Sequence, residues 1–413
     1  MDRESPADVA CIARAMVFAT LLVCGSSGVR AQVAVGDEFI VDAPPLEIRD
    51  HHPDVGVGGD GSIVFAWADT LDTGQIAARR YDASADPLGP AFRVDSGVFD
   101  AGSDIGGPGV AVDADGGFVV AWHAVTPHEV HGRRFAVSGA PVGDEFIADG
   151  SLTGLAMLSQ PRAAAIFSDQ FVLVWQSSAS SDLHGLAVGR RIDPDGVPIG
   201  SGFQVNVANA CDQTSVAAEA NGDYVVAWCE GAQAFFARRF HAATGAGAPF
   251  EIAAGGAEGL NPIAISADDA GDFVAVWGSS GTVFARVFDA GDAPFGPAFT
   301  IGNSGNALHP AVAFDHDGDG FTAVWEKTIV ENEDVDVVGR RFEPSGQPLG
   351  EEILVNTETR GVQFGPRIAA TGDGFVVTWA GEPEIAAHPT IGIRARRFLA
   401  DPAVDPIFHD GFD

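Results

Sequence analysis

The chain has 413 residues and a formal net charge of −34, from 57 acidic and 23 basic side chains. A surface this acidic repels phosphate backbones and anionic lipid heads, which argues against nucleic-acid and membrane-surface partners and favours solubility. The composition is 46% hydrophobic with 52 Gly, ample for a core and suited to short strands joined by tight turns.

The first 31 residues read as a signal peptide. Arg14 precedes the apolar run Ala15–Val23, and Val29-Arg30-Ala31 fits a small-residue cleavage site before Gln32. The run is too short for a membrane span. Leu21-Leu-Val-Cys24 has the outline of a lipoprotein box, but Val23 stands where such a box needs a small residue. The expectation is an exported chain, secreted, periplasmic or at the cell surface of a Gram-negative bacterium, with no membrane insertion after cleavage. Cys11 and Cys24 leave with the leader, so Cys211 and Cys229 remain as an even pair in an oxidising compartment. A disulfide between them is expected, closing roughly 18 residues around a hairpin turn near Asn221-Gly222.

From residue 32 to 398 the chain repeats one unit. A short apolar strand, a Gly/Asp turn and a second strand end on Trp67, Trp122, Trp175, Trp228, Trp277, Trp325 and Trp379, which is every Trp in the sequence. The spacing of 48 to 55 residues matches a four-stranded propeller blade. A third strand ends in Arg-Arg-aromatic or Arg-Arg-Ile, as at Arg133-Arg134-Phe135, except that the fifth copy has Arg286-Val287-Phe288. A fourth strand has the form Gly143-Asp-Glu-Phe-Ile147. Several second strands are apolar throughout, which requires cover on both faces, so the copies must stack and their Trp residues belong between blades.

Near the N-terminus, Val35-Gly-Asp-Glu-Phe-Ile-Val41 is a fourth strand without its first three, and the last copy has three strands without a fourth. The sequence therefore predicts an all-β, seven-bladed β-propeller of four-stranded antiparallel blades, its ring closed by the N-terminal strand pairing into the last blade. Residues 399–413 form a linker and tail. The phrases Asp-Gly-Gly-Phe-Val-Val-Ala-Trp and Arg-Arg-Phe resemble repeats of bacterial exported, adhesin-like proteins of unknown function. The tail Ile407-Phe-His-Asp-Gly-Phe-Asp413 resembles the Ile-Phe-x-Asp-Gly-Phe-acid ending of some Gram-negative exported proteins. The first resemblance implies a binding or structural role, the second an address or processing signal; packing of Phe408 and Phe412 onto the last blade is the other reading of the tail.

One stretch carries metal chemistry. Asp315-His-Asp317-Gly-Asp319-Gly320 sets three carboxylates at alternate positions, as a calcium loop does. Integrin-type propellers are similar, with a further Asp three residues after the Gly, where this chain has Ala323. Glu326 fills the twelfth position of a calcium loop, but an intervening strand rising about 3.3 Å per residue carries it roughly 20 Å away. The alternative is a tight turn that uses Asp and Gly for their backbone freedom. His123, His128 and His131 share one region of copy two and read as structural or exposed rather than as a zinc site. The Arg pairs read as part of the fold, with fourth-strand acids such as Asp144-Glu145 or Glu351-Glu352 as partners, or the Trp of the same blade as a stacking surface.

No catalytic motif appears. The sequence points to a monomeric, non-enzymatic binding or scaffold module outside the cytoplasm, its ligand a glycan or a surface protein. The loops after each Trp, notably 326–336 and 380–389, would form the ligand face. The competing class is a carbohydrate hydrolase or lyase with its site in the axial funnel.

Overall fold

The computed structural model describes residues 32–42, 52–69, 75–97, 107–124, 129–149, 157–158, 160–167, 169–178, 185–207, 210–230, 234–254, 262–302, 307–316, 318–329, 334–381 and 392–400. The expected signal peptide, the tail after residue 400, residues 330–333 of the 326–336 loop, residues 382–389 of the 380–389 loop, and His128 lie outside them, as do Asp317 and the side chain of Cys211.

The strands build seven antiparallel sheets, one per repeat. Blade two is representative: Gly109–Val112, Phe118–Ala124, Glu129–Phe135 and Pro141–Ile147 pair in that order. Blades three and four each gain one further two-residue strand. The turn between the first two strands of blade two shows why Asp and Gly recur there. Asp113 Oδ1 accepts the backbone N–H groups of Asp115 and Gly117 at 3.0 and 2.8 Å. Gly116 takes φ 84° between them, a left-handed conformation that costs Gly nothing.

The last sheet is composite. Val33–Asp42 pairs antiparallel with Gly392–Leu399, which leads on to Gly374–Gly381 and Gln363–Thr371. The register runs from Val33 opposite Leu399 to Asp42 opposite Ile393. The ring thus closes through the N-terminal strand, as the incomplete first and last copies require.

Buried apolar side chains of the described residues fall into seven clusters, each spanning two neighbouring blades and each containing one of the seven Trp. No Trp is more than 5% exposed. In Phe118–Ala124 every residue is buried, because one face meets blade one and the other meets blade three. A blade has no core of its own; the core lies between blades, and the Trp is its largest element.

Candidate functional site

The repeated Arg pair bridges blades in both directions. Neighbouring residues of a strand face opposite ways, so the two guanidinium groups diverge. The first Arg reaches the preceding blade. Arg79, Arg133, Arg238, Arg286 and Arg396 each donate from Nη1 to a carbonyl at the end of that blade's fourth strand: Val41, Val94, Val205, Ile252 and Val355, at 2.8 to 3.2 Å. Each also lies over the aromatic ring two residues on, 5.3 to 5.8 Å from its centroid. Residues i and i+2 share a strand face, so the stacking surface is this ring and not the Trp.

The second Arg turns to the first hairpin and the following blade. Arg134 Nη2 donates to Asp113 Oδ2 at 2.6 Å and lies 4.9 Å over Phe171 of blade three. Arg239 pairs with Glu219 and Asp292 and lies over Phe273 of blade five. Arg341 pairs with Asp315, and Arg397 with Asp373. The acids that hold these second arginines therefore come from hairpin turns and not from the fourth strand, as the sequence alone suggests. Glu145 instead holds His131, and Glu352 holds Lys327. In blade five the second Arg is Val287, which joins the apolar cluster facing blade six.

The calcium-like loop takes part in this scheme. Asp315 Oδ2 accepts from Nε of Arg341 at 3.1 Å and from Nη2 of the same side chain, and Arg341 is almost fully buried. Asp315 thus occupies the place of Asp113 and Glu219 in their blades. Asp319 lies in the same turn, and Asp317 is outside the described residues. Glu326 sits far along the strand Phe321–Thr328, accepting the Gly365 N–H at 2.7 Å and pairing with His309 at 2.9 Å. Among the described residues no group of three or more His, Cys, Asp and Glu side chains gathers as a metal site would. Cys229 lies on Tyr224–Glu230, and the pairing of Thr214 with Trp228 and Ala210 with Glu230 brackets positions 211–213 against it.

Blade two holds a cluster that sequence reading missed. His131 Nδ1 lies 2.6 Å from Glu145 Oε1 and its Nε2 lies 3.1 Å from Glu129. Its ring stacks on Trp122 at 6.0 Å. Glu145 Oε2 also accepts the backbone N–H and hydroxyl of Ser96, at 2.9 and 2.7 Å, tying blade two to blade one. The same device recurs at the closure. Glu38 accepts the N–H and hydroxyl of Thr357, both at 2.8 Å, and pairs with Arg394. His131 is opposite Trp122 and Arg394 opposite Trp379, so the histidine is the titratable counterpart of an arginine.

Burial alone would depress His131, but the hydrogen bonds and charges of Glu145 and Glu129 outweigh it and raise its pKa. Burial would raise Glu145, yet the bonds from His131 and Ser96 bring it down to about 2. The His131 contribution to stability is complete below the ordinary imidazole value of about 6.5 and fades as pH rises through the elevated one. The Glu145 contribution is complete above about pH 4.5 and fades as pH falls toward 2. Wild-type melting temperature is therefore expected to fall by about 1–3 °C on the alkaline side, and His131→Arg to flatten that limb. An unchanged alkaline slope in the variant would remove His131 as its cause.

The first strands of the seven blades surround an axial cavity of about 150 Å³. One position of each first strand pairs with the residue just before the blade's Trp. Asp54, Arg162, Ser215, Ala264, Ala311 and Arg367 hold that position and line the cavity; in blade two it is Gly109. Val, Ile and Pro form most of the remaining wall. Asp54 Oδ2 accepts the Val110 N–H at 2.9 Å, and its Oδ1 lies 3.9 Å from Arg367 Nε. Arg367 Nη1 donates to the Pro366 carbonyl at 2.9 Å, and Arg162 Nη2 lies 3.5 Å from Gln160 Oε1. Stacking the repeats on the Pro that opens most first strands exposes the signal: Pro53-Asp, Pro161-Arg and Pro366-Arg against Pro108-Gly and Pro310-Ala.

No protein-family model and no curated protein matches the chain. Solved structures do. A protein of unknown function from Dyadobacter fermentans DSM 18053 aligns with 88% of this chain and 100% of its own, at 10% identity and a TM-score of 0.52. The Dos1 propeller aligns over 92% of this chain and 97% of its own, at 12% identity and a TM-score of 0.52. The polysaccharide lyase Uly1 covers 89% of this chain and 98% of its own, at 8% identity and a TM-score of 0.50. Likeness at these identities is likeness of fold.

Proposed function

We propose that this chain is a non-enzymatic binding or scaffold module acting outside the cytoplasm, with a glycan or a surface protein as its ligand. The observation that carries this reading is how the chemically capable side chains are used. The repeated arginines hold blade to blade, and the axial cavity, where Asp54, Arg162 and Arg367 stand among Val, Ile, Ala and Pro residues, is about 150 Å³, below the roughly 300–1,000 Å³ of pockets that enclose a whole small-molecule ligand. Recognition is thereby left to the loops that differ between repeats, where propellers and other rigid scaffolds carry their variable surfaces. The extracytoplasmic setting rests on the leader-like residues 1–31.

The competing reading is a carbohydrate hydrolase or lyase working in the axial funnel. Its support is the fold likeness to Uly1, and a fold hosts many functions. Glycan-array binding run beside turnover assays on the retained glycans separates the two. Retention without product is the expected result. Release of reducing ends or unsaturated sugars would overturn the binding-only reading.

A further inference from the structure

We propose that the axial cavity is a binding site for one small oxyanion group, a carboxylate, phosphate or sulfate, held between Arg162 and Arg367.

The case begins with a contrast. Arg134 and Arg239 each have a carboxylate oxygen within 2.8 Å, and Arg341 has Asp315 at 3.1 Å from Nε and closer still at Nη2. Arg367 has the Pro366 carbonyl at 2.9 Å but its nearest carboxylate, Asp54, only at 3.9 Å, and Arg162 has a single amide oxygen at 3.5 Å. Each guanidinium carries five N–H donors in a planar fork, so most of these donors lack a protein acceptor among the described residues. Both side chains line the same narrow cavity, together with Asp54 and Ser215. Burial first, and the repulsion of Arg162 second, bring Arg367 down to about 9, against the pull of Asp54 and Glu326. Glu326 is itself engaged by His309 and the Gly365 N–H. Two mutually repelling cations thus share one carboxylate at the axis of a protein whose net charge is −34. An oxyanion bridging the two forks supplies the missing acceptors and cancels the repulsion.

Size narrows the ligand. A volume of about 150 Å³ is that of roughly five waters. It accommodates a single oxyanion group, and a larger molecule would have to leave its body at the mouth. The group could arrive as a free anion or as the acid of a uronate sugar. The inference does not depend on the binding-module reading above, since a free anion suffices.

The test is calorimetric titration of the full chain, in a buffer free of competing oxyanions, with acetate, inorganic phosphate, sulfate and a glucuronate-containing oligosaccharide. Melting temperature is followed in parallel. Saturable binding that raises the melting temperature is expected, with Arg162→Gln and Arg367→Gln each weakening it at least tenfold. Asp54→Asn keeps an acceptor for the Val110 N–H but withdraws the competing charge, and is expected to tighten binding several-fold. Response to the simple salts identifies a free anion; response to the oligosaccharide alone identifies a sugar-borne acid. No saturable response to any probe, or binding indifferent to the Gln variants, overturns the site. If both Gln variants fail to fold, Asp54→Asn decides: unchanged affinity overturns it.

Discussion

Excising Val33–Asp42 is expected to remove most of the net stability of the ring and to drive the shortened chain into self-association. The strand contacts three blades. It pairs along Gly392–Leu399 in blade seven. Its Phe39 packs 6.2 Å from Phe65 and 5.4 Å from Tyr81 in blade one, and Arg79 of that blade donates to the Val41 carbonyl. Glu38 holds Thr357 at the end of blade six. Losing the burial of Val41 and the partial burial of Phe39 costs about 2–4 kcal/mol, a large share of the roughly 5–15 kcal/mol that separates native from unfolded chains. Excision also leaves Gly392–Leu399 with an open row of backbone donors and acceptors, a template for other chains. Size-exclusion chromatography and thermal melting of the excised chain read both effects. A peptide spanning residues 32–42, added in trans, is expected to restore the melting transition by strand addition. An excised chain that elutes and melts like the parent would refute strand closure as a source of stability.

The second large effect is expected at Arg239. Its side chain is 2% exposed and bridges Glu219 in blade four to Asp292 and the Gly271 carbonyl in blade five. Arg239→Met leaves Glu219, itself 3% exposed at the side chain, as a buried charge without its cation. Breaking such a pair costs about 3–5 kcal/mol, whereas replacing both members is often close to neutral. The double variant Arg239→Met with Glu219→Leu is therefore expected to regain most of the loss in chemical denaturation. Blade five supports the expectation, because it carries Val287 in place of the second arginine and packs it against apolar neighbours. A double variant as unstable as the single one would show that the bridge acts through geometry rather than charge.

The ring was legible in the sequence because its determinants are local and repeated. A Trp every 48 to 55 residues and two mutually incomplete ends are visible without coordinates. The partners of the arginines were not. Arg79 binds a carbonyl 38 residues away, on the N-terminal strand that completes the last blade, and Arg133 one 39 residues away. Asp315 reads as a metal ligand because its neighbours are acids, and only the fold brings Arg341 beside it. Arg162 and Arg367 look like ordinary strand residues 205 positions apart. They become a pair because closure turns seven first strands toward one axis. His131 was legible as a histidine but not as a link, since its acids come from its own strand and the next, and Ser96 from the blade before.

The composite last blade also sets an order in time. Val33 is among the first residues of the ring to be made, and its partner Leu399 comes 366 positions later. Contacts this distant in sequence close slowly. Until the final strand emerges, the opening strand has no sheet to join, and blade one lacks the Phe39 contact on its outer flank. A growing chain therefore carries an unmatched strand while all the blades between Val33 and Leu399 are made, and the ring locks in a single late event. Inter-blade layers can assemble progressively behind it, but the chain gains its full kinetic protection only when beginning and end meet.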